Sequence, residues 1–188
     1  MKKLLLLACL VMSCAGLAAA QSSDDYYKNE FFAGYSYNRF SDSDAAGSSG
    51  VNVAYVYNFS RYIGAKADFS AHFRKDNFSV GTLSVSTRSD VYRFMGGVQI
   101  KDNSKDTKVK PFAHALIGGG SLRASTSGIP GSNNFSDSTA AFAFAVGGGL
   151  DIKANDRISV RVAQVDYAPL YREGIGHAVR FSAGIIFH

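Results

Sequence analysis

The sequence predicts an all-β fold, an eight-stranded antiparallel up-and-down β-barrel that crosses a membrane with its strands. Apolar and polar residues alternate along most of the chain. The connections between these alternating segments are short and long in turn. The third observation is that 46% of the residues are hydrophobic and 13% aromatic. Yet no apolar run approaches the ~20 residues that a membrane-spanning helix needs.

The first twenty residues have the order of a secretory signal peptide. Lys2-Lys3 precedes the apolar run Leu4–Met12, and the small residues Ala18–Ala20 follow as an A-x-A cleavage pattern. This order predicts export and cleavage after Ala20. The chain then divides into a signal peptide, residues 1–20, and a barrel domain, residues 21–188.

A lipidation site competes with this cleavage point. Val11–Cys14 loosely resembles a lipobox, in which Cys14 would carry the lipid, but Met12 stands where a small residue is usual. The A-x-A site is therefore favoured. The chain's two cysteines, Cys9 and Cys14, both lie in the predicted signal peptide, so we expect no disulfide in the barrel.

The alternation is clearest over Ile63–Arg74, where Ile, Ala and Phe point to one face and Gly, Lys, Asp, Ser and His to the other. Side chains alternate between the faces of a strand, so this segment is a ribbon with one apolar and one polar face. The same pattern predicts strands at Phe31–Asn38, Val51–Ser60, Tyr92–Ile100, Phe142–Ile152, Ile158–Ala163 and Val179–Phe187.

The segment Val109–Ser121 completes the eight strands but alternates less regularly. If His114 lies on the polar face, Phe112 and Leu116 must lie there too. A lumen can hold both side chains, and a bulge that shifts the register is the equal alternative.

The connections predict the orientation of the barrel. Short ones lie near Ser60–Tyr62 and Lys153–Asp156, and Lys101–Lys108 is of middle length. Long ones are predicted at Ser41–Gly50, Lys75–Ser86, Ser121–Ser138 and Ala168–Gly176. Outer-membrane barrels have short periplasmic turns and longer extracellular loops, so both termini should be periplasmic. Loops carry recognition, and Ser121–Ser138 is the predicted contact site for an extracellular ligand.

The composition of the two faces favours lipid outside and a packed lumen inside. The polar face is rich in Gly, Ala and Ser, as a narrow lumen requires, and aromatic residues lie near the ends of the apolar strips. A soluble lipocalin-like binder, with its apolar face inward, is the alternative that alternation alone leaves open.

Charged residues on the polar face form a predicted lumen charge network. Its members are Lys66, Asp68, Arg93, Asp151, Arg161 and Arg180. Two pairs are predicted from neighbouring strands: Asp68 with Arg93, and Asp151 with Arg161 in a partly wet position near the periplasmic rim. Eight strands enclose only enough room for side chains, so an ion-paired plug is favoured over an open channel for small solutes.

Other candidate chemistry is weak. The Gly118–Gly120 and Gly147–Gly149 triplets lack phosphate-loop spacing, the four histidines are dispersed, and the net charge of +5 is too small to indicate nucleic acid. We therefore expect no cofactor, no metal and no nucleic acid. Ser70 and His72 share a face with Asp68, which leaves a lipid A-modifying enzyme as a minor alternative.

The last strand carries a family resemblance. Phe181–Phe187 resembles the C-terminal signature of outer-membrane barrels, with His188 following it. The resemblance implies that the barrel-assembly machinery reads Phe181, Ile185 and Phe187. Together with Phe31–Tyr37 and Pro111–Gly120, it makes the whole chain similar to the small OmpA/OmpX-like outer-membrane barrels. Nothing follows the barrel, so no peptidoglycan-binding domain is implied.

These observations lead to one functional expectation. The chain should be a non-enzymatic, monomeric protein of the bacterial outer membrane, surrounded by outer-membrane lipids. It should contribute to envelope structure or present loops at the cell surface. A small-solute channel is the first alternative, followed by the lipid A enzyme and the soluble binder.

Overall fold

The structure, a computed structural model, describes residues 25–40, 47–80, 83–127, 135–171 and 175–188. The predicted signal peptide and Cys14 lie outside the described residues, and their assignment stays a prediction. Within the described ranges, no helix is long and apolar enough to cross a membrane.

The described chain is built of β-strands joined by antiparallel pairing. The strands are β1 (Asn29–Phe40), β2 (Ser48–Asn58), β3 (Ile63–Val80), β4 (Leu83–Lys101), β5 (Val109–Ser127), β6 (Phe135–Lys153), β7 (Ile158–Tyr167), β8 (Leu170–Tyr171), β9 (Ile175–Gly176) and β10 (Ala178–Phe187). Consecutive long strands are neighbours, and β1 pairs with β10. The eight long strands therefore form a closed barrel, which confirms the predicted fold class.

The two faces of the wall have the predicted orientation. Large apolar side chains point outward and are exposed, with Phe94 at 65% and Ile117 at 66% of full exposure. Between these apolar residues, charged side chains such as Lys66, Asp68 and Arg180 point inward and are buried. Exposed apolar residues on every side suit a lipid solvent. The soluble alternative, which needs the apolar face inward, is therefore wrong.

The outward apolar strip has the height of a bilayer core. Ile63 faces Ile100 beside the short turn, and Phe73 faces Asp90 further along the same ladder. At ~3.4 Å per residue and a tilt of ~40°, the stretch from Ile63 to Phe73 rises about 26 Å, close to the ~25 Å apolar band of such barrels. The bilayer therefore ends near Phe73.

Two of the predicted long loops are wrong, because the strands continue through them. The β3–β4 ladder extends to Val80 and Leu83, and the β5–β6 ladder extends to Thr126 and Phe135. Above the bilayer both faces of a hairpin meet water, so the alternation ends although the hydrogen bonding does not. Of the predicted contact site Ser121–Ser138, residues 128–134 lie outside the described residues.

Of the two alternatives for β5, inward Phe112 and Leu116 or a bulge, the structure shows the first, and a bulge occurs in β7. The β5 ladders are regular, and Phe112, His114 and Leu116 all point into the lumen. In β7 the register shifts after Arg161, so Gln164 is the next inward residue. Such a bulge inserts one extra residue and reverses the faces beyond it.

A charge on the outward face near mid-membrane should destabilise the barrel. Phe69 faces Phe94 halfway along the apolar strip, and Phe144→Arg offers a second site on β6. Phe69→Arg and Phe144→Arg should each lower the free energy of unfolding by about 2–4 kcal/mol, and Phe73→Arg at the interface by only ~0–1 kcal/mol. Chemical unfolding of the barrel in lipid vesicles measures these differences. Equal stability of all three variants and the native protein would contradict the lipid-facing assignment.

Candidate functional site in the barrel lumen

The predicted lumen charges all lie inside the barrel. Lys66, Asp68, Arg93, Asp151, Arg161 and Arg180 retain between 0% and 2% of their exposure. They come from β3, β4, β6, β7 and β10, and each strand aims its polar face at the lumen. Charges removed from water are tolerable only with partners, so the contacts within the lumen decide what this site can do.

Arg180 on β10 is the centre of the network. Its Nη1 donates to Asp68 Oδ1 at 2.7 Å, while its Nε and Nη2 donate to Asp166 Oδ2 at 2.8 and 2.6 Å. Gln164 Nε2 donates to the same Asp166 oxygen at 2.7 Å. One guanidinium therefore joins two carboxylates from opposite sides of the lumen, and each carboxylate is completely buried.

Lys66 and His114 extend this central layer. The Lys66 Nζ lies 3.2 Å from His114 Nδ1 and 3.9 Å from Asp68 Oδ2. The other ring nitrogen of His114, Nε2, lies 3.0 Å from Asp166 Oδ1. Two cations and a histidine thus surround two carboxylates, which nearly balances the charge of the layer.

The predicted pairing of Asp68 with Arg93 is wrong. Arg93 faces Ser70 across the β3–β4 ladder, whereas Asp68 faces Met95. The Arg93 backbone therefore lies two residues above Asp68 along the β3–β4 ladder. Arg180, from the other side of the lumen, is the residue that reaches Asp68. Among the described residues no acceptor lies within hydrogen-bonding distance of the Arg93 guanidinium, which lies 5.9 Å from the Phe40 ring.

The predicted pair of Asp151 and Arg161 is present but is not partly wet. Arg161 Nε and Nη2 donate to the two Asp151 oxygens at 2.8 and 3.0 Å. The rings of Phe32 and Phe112 lie 4.5 and 4.1 Å from the guanidinium carbon. These aromatic side chains separate the pair from water, although it lies close to the periplasmic turn.

Several polar and charged lumen residues are not indicated by the sequence pattern. Asp166 and Gln164 lie beyond the β7 bulge, where the expected alternation places them outside. Lys101 Nζ donates to Glu30 and, at 3.2 Å, to Asp151 Oδ2. Lys101 and Glu30 lie at the ends of their strands, beyond the predicted alternation. The alternation of β1, continued back by one residue from Phe31, places Glu30 on the polar face. No feature of the sequence predicts the bulge in β7.

Apolar layers lie below and above the central charges. The lower layer consists of Phe32, Ala54 and Ile186. The upper layer consists of Val91, Met95, Leu116, Ala143, Ala145, Ala168 and Leu170. Residues lining an aqueous pore would stay accessible to water, whereas the charged residues between these layers do not. The arrangement is therefore a packed plug.

A hydrolytic Ser–His arrangement is not assembled at Ser70. Ser70 and His72 are both fully buried in the lumen, and His72 Nε2 lies 2.9 Å from Ser36 Oγ rather than from Ser70. A lipid substrate would lie on the opposite side of the wall. In the part of the chain that the structure describes, no group of three His, Cys, Asp or Glu side chains could hold a metal ion.

The C-terminal strand ends at the periplasmic rim. Phe181 and Ile185 point outward and are about half exposed, and Phe187 lies on the same face. The His188 ring turns inward, stacks on Tyr27 at 3.8 Å, and places Nε2 2.8 Å from Ser159 Oγ. The role of the three apolar residues in barrel assembly stays a prediction.

Two periplasmic turns are joined outside the membrane by Arg61 and Asp102. Arg61 Nε and Nη2 donate to the Asp102 carboxylate at 2.9 and 3.1 Å. The Ser104 amide and Thr107 hydroxyl also donate to this carboxylate, each at 3.1 Å. These hydrogen bonds, with that from Arg61 the most important, hold the pKa of Asp102 well below its usual range.

Comparison with known proteins agrees with this geometry. The sequence profile of a family described as outer membrane protein beta-barrel domain matches residues 5–186. A similar structure is that of Ail, the attachment invasion locus protein of Yersinia pestis, solved with the heparin analogue sucrose octasulfate. Its sequence is 20% identical and its TM-score is 0.61, and the match covers 85% of this chain and 96% of Ail. Neisserial surface protein A is 14% identical with a TM-score of 0.53, over 87% and 99%. At these identities the two structures show a shared fold alone. No curated protein matches the sequence.

Removal of Arg180 should be the most damaging single change in the lumen. Arg180→Ala leaves the buried carboxylates of Asp68 and Asp166 without their shared partner, and should lower the free energy of unfolding by about 3–5 kcal/mol. Arg93→Ala is the matched control and should have a smaller effect, because it deprives no carboxylate of a hydrogen bond. Urea unfolding in vesicles measures both. A larger loss for Arg93→Ala than for Arg180→Ala would contradict the assignment of Arg180 as the centre.

The Asp102 contact should make stability depend on pH in the acid range. Its folded pKa is depressed, so its contribution is complete above the unfolded value of ~3.9 and is lost as pH falls towards the lower folded value. The thermal midpoint of the native protein should therefore exceed that of Asp102→Asn at pH 7, and the gap should narrow below pH ~4. Asp106→Asn, an exposed carboxyl in the same turn, is the control. A gap that stays constant from pH 7 to pH 2.5 would show that ionisation of Asp102 contributes nothing.

Proposed function

This chain belongs to the outer membrane protein beta-barrel domain family, and from that premise we propose that it is a non-enzymatic, non-conducting membrane anchor that presents a β-sheet at the cell surface. The barrel wall meets the outer-membrane lipids, and the extended strands reach beyond them. We further propose that it works as a monomer and is inserted by the barrel-assembly machinery through Phe181, Ile185 and Phe187.

One observation carries the proposal, the packed lumen. Arg180 is held between Asp68 and Asp166, and apolar layers lie on both sides of these charges. A small-solute channel requires a wetted path past the central layer, and an enzyme requires access to its reacting groups. Side chains that are this deeply buried support a closed barrel without catalytic activity.

The surface part of the proposal rests on the strands β3 to β6. These strands have 18 or 19 residues each, against the ~9–11 that a membrane crossing needs. Beyond Phe73 the strand β3 continues for about 18 Å at ~3.4 Å per residue and ~40° tilt. The four extensions stay hydrogen-bonded to each other, so they form one projecting sheet rather than separate loops.

This projecting sheet has two open edges within the described residues. The pairing of β2 with β3 ends at Ser49 and Phe73, and β6 gains its first partner on the far side at Phe142. Open strand edges present unpaired backbone donors and acceptors, to which an extended peptide can add as a further strand. We propose that an extracellular partner binds here rather than at a flexible loop.

Reconstitution into planar lipid bilayers tests the non-conducting anchor. The native protein should give no steady conductance, because the lumen is filled by its own side chains. A control variant replaces residues 76–87 by Asn-Gly, a two-residue hairpin turn between the facing residues Lys75 and Arg88. It should also be silent, since closure depends on the lumen.

Two results would contradict the proposal. Steady ion conductance by the native protein would replace the anchor by the channel. Conductance by the shortened variant alone would show that the projecting hairpin closes the barrel, and that the lumen charges do not.

A further inference from the structure

Three cations lie on the outward face just above the apolar strip. Lys75 on β3, Arg88 on β4 and Arg123 on β5 are all exposed. Lys75 faces Arg88 across the β3–β4 ladder, and Arg123 faces Asp90 across the β4–β5 ladder. The ladder thus fixes three cationic side chains side by side on one patch of the outer wall.

The height of this patch is set by two aromatic residues directly beneath it. Phe73 and Tyr92 pack edge to face, with their ring centres 6.0 Å apart. The Arg88 guanidinium carbon lies 5.9 Å from the Phe73 ring centre, and that of Arg123 lies 5.7 Å from the Tyr92 ring centre. Aromatic girdles mark the membrane interface. The cations therefore lie at the level of the outer lipid headgroups.

The charges of the patch are not balanced by the protein. Asp90 accepts two hydrogen bonds from Arg88 Nε, at 2.9 and 3.1 Å. Its side chain is only 15% exposed, whereas that of Arg88 is 58% exposed. Lys75 and Arg88 stand directly opposite each other, and like charges in such cross-strand positions are unfavourable. An anion from outside would relieve this repulsion.

We propose that Lys75, Arg88 and Arg123 bind the phosphate groups of lipid A in the outer leaflet, with Phe73 and Tyr92 contacting the top of its acyl chains. The position explains why this anion belongs to a lipid. Acyl chains reach the aromatic rings from below only if the phosphate is part of a membrane lipid. The inference depends on the orientation of the barrel, and it does not depend on the closed lumen or on a peptide partner.

Lipid titration by native mass spectrometry tests this site. The refolded protein in zwitterionic detergent is titrated with bisphosphorylated lipid A, with the same lipid lacking phosphates, and with inorganic phosphate. The compared variants are Lys75→Gln/Arg88→Gln/Arg123→Gln and a control at the opposite rim, Lys108→Gln/Arg157→Gln, which removes two exposed cations. Slower gel migration after heating verifies that each variant is folded.

The native protein and the control should bind bisphosphorylated lipid A with equal affinity, and the triple variant at least roughly tenfold more weakly, since each Lys or Arg near an anionic surface contributes about fivefold. Arg123→Gln alone should give an intermediate affinity and serves if the triple variant does not fold. Unchanged affinity in these variants, or an equal loss in the control, would overturn the site. Equal binding of the lipid lacking phosphates, or full competition by inorganic phosphate, would overturn the lipid phosphate groups as the ligand.

Discussion

The contact of Arg180 with Asp68 and Asp166 is the interaction on which the rest of this barrel depends. It joins β10 to its neighbour β7 and, across the lumen, to β3. A charge removed from water destabilises a protein unless it is paired and hydrogen-bonded. With three buried charges in one contact, the relative positions of β3, β7 and β10 are constrained by the need to keep all three partnered. The bulge in β7 serves this constraint, because it turns Asp166 inward.

The same constraint explains the order of layers along the lumen. Apolar clusters and charged contacts alternate from the periplasmic end upward, and Phe32 and Phe112 cover the Arg161 guanidinium from the lower layer. Aromatic and aliphatic packing excludes water, which strengthens each ion pair and at the same time makes an unpaired charge more unfavourable. The lumen is therefore filled by buried side chains, and the large apolar side chains of the outward face are exposed to lipid.

The sequence predicted the wall of this barrel better than its contents. Strict alternation, as along Ile63–Arg74, placed the strands and their faces, because lipid imposes an apolar residue at every outward position. The alternation did not predict the strands above the bilayer. There β3 and β4 remain paired as far as Val80 and Leu83, although no lipid requires apolar residues on the outward face. It also failed at Asp166, since a single extra residue in β7 reverses the faces. The predicted partner of Asp68 was wrong, because its true partner Arg180 reaches it across the lumen and not from a neighbouring strand. Asp151 and Arg161 lie on neighbouring strands, so their pairing could be predicted.

The most direct measurement of the central contact is NMR of the Arg180 guanidinium in the barrel embedded in lipid nanodiscs. Three short hydrogen bonds to two carboxylates in a lumen closed to water should give resolved Nε–H and Nη–H signals that exchange slowly with solvent at pH 7. Asp68→Asn should shift the Nη1 protons and leave the Nε proton nearly unchanged. A single exchange-averaged signal, with protons that exchange as fast as those of the exposed Arg88, would contradict a water-excluding network held by Arg180.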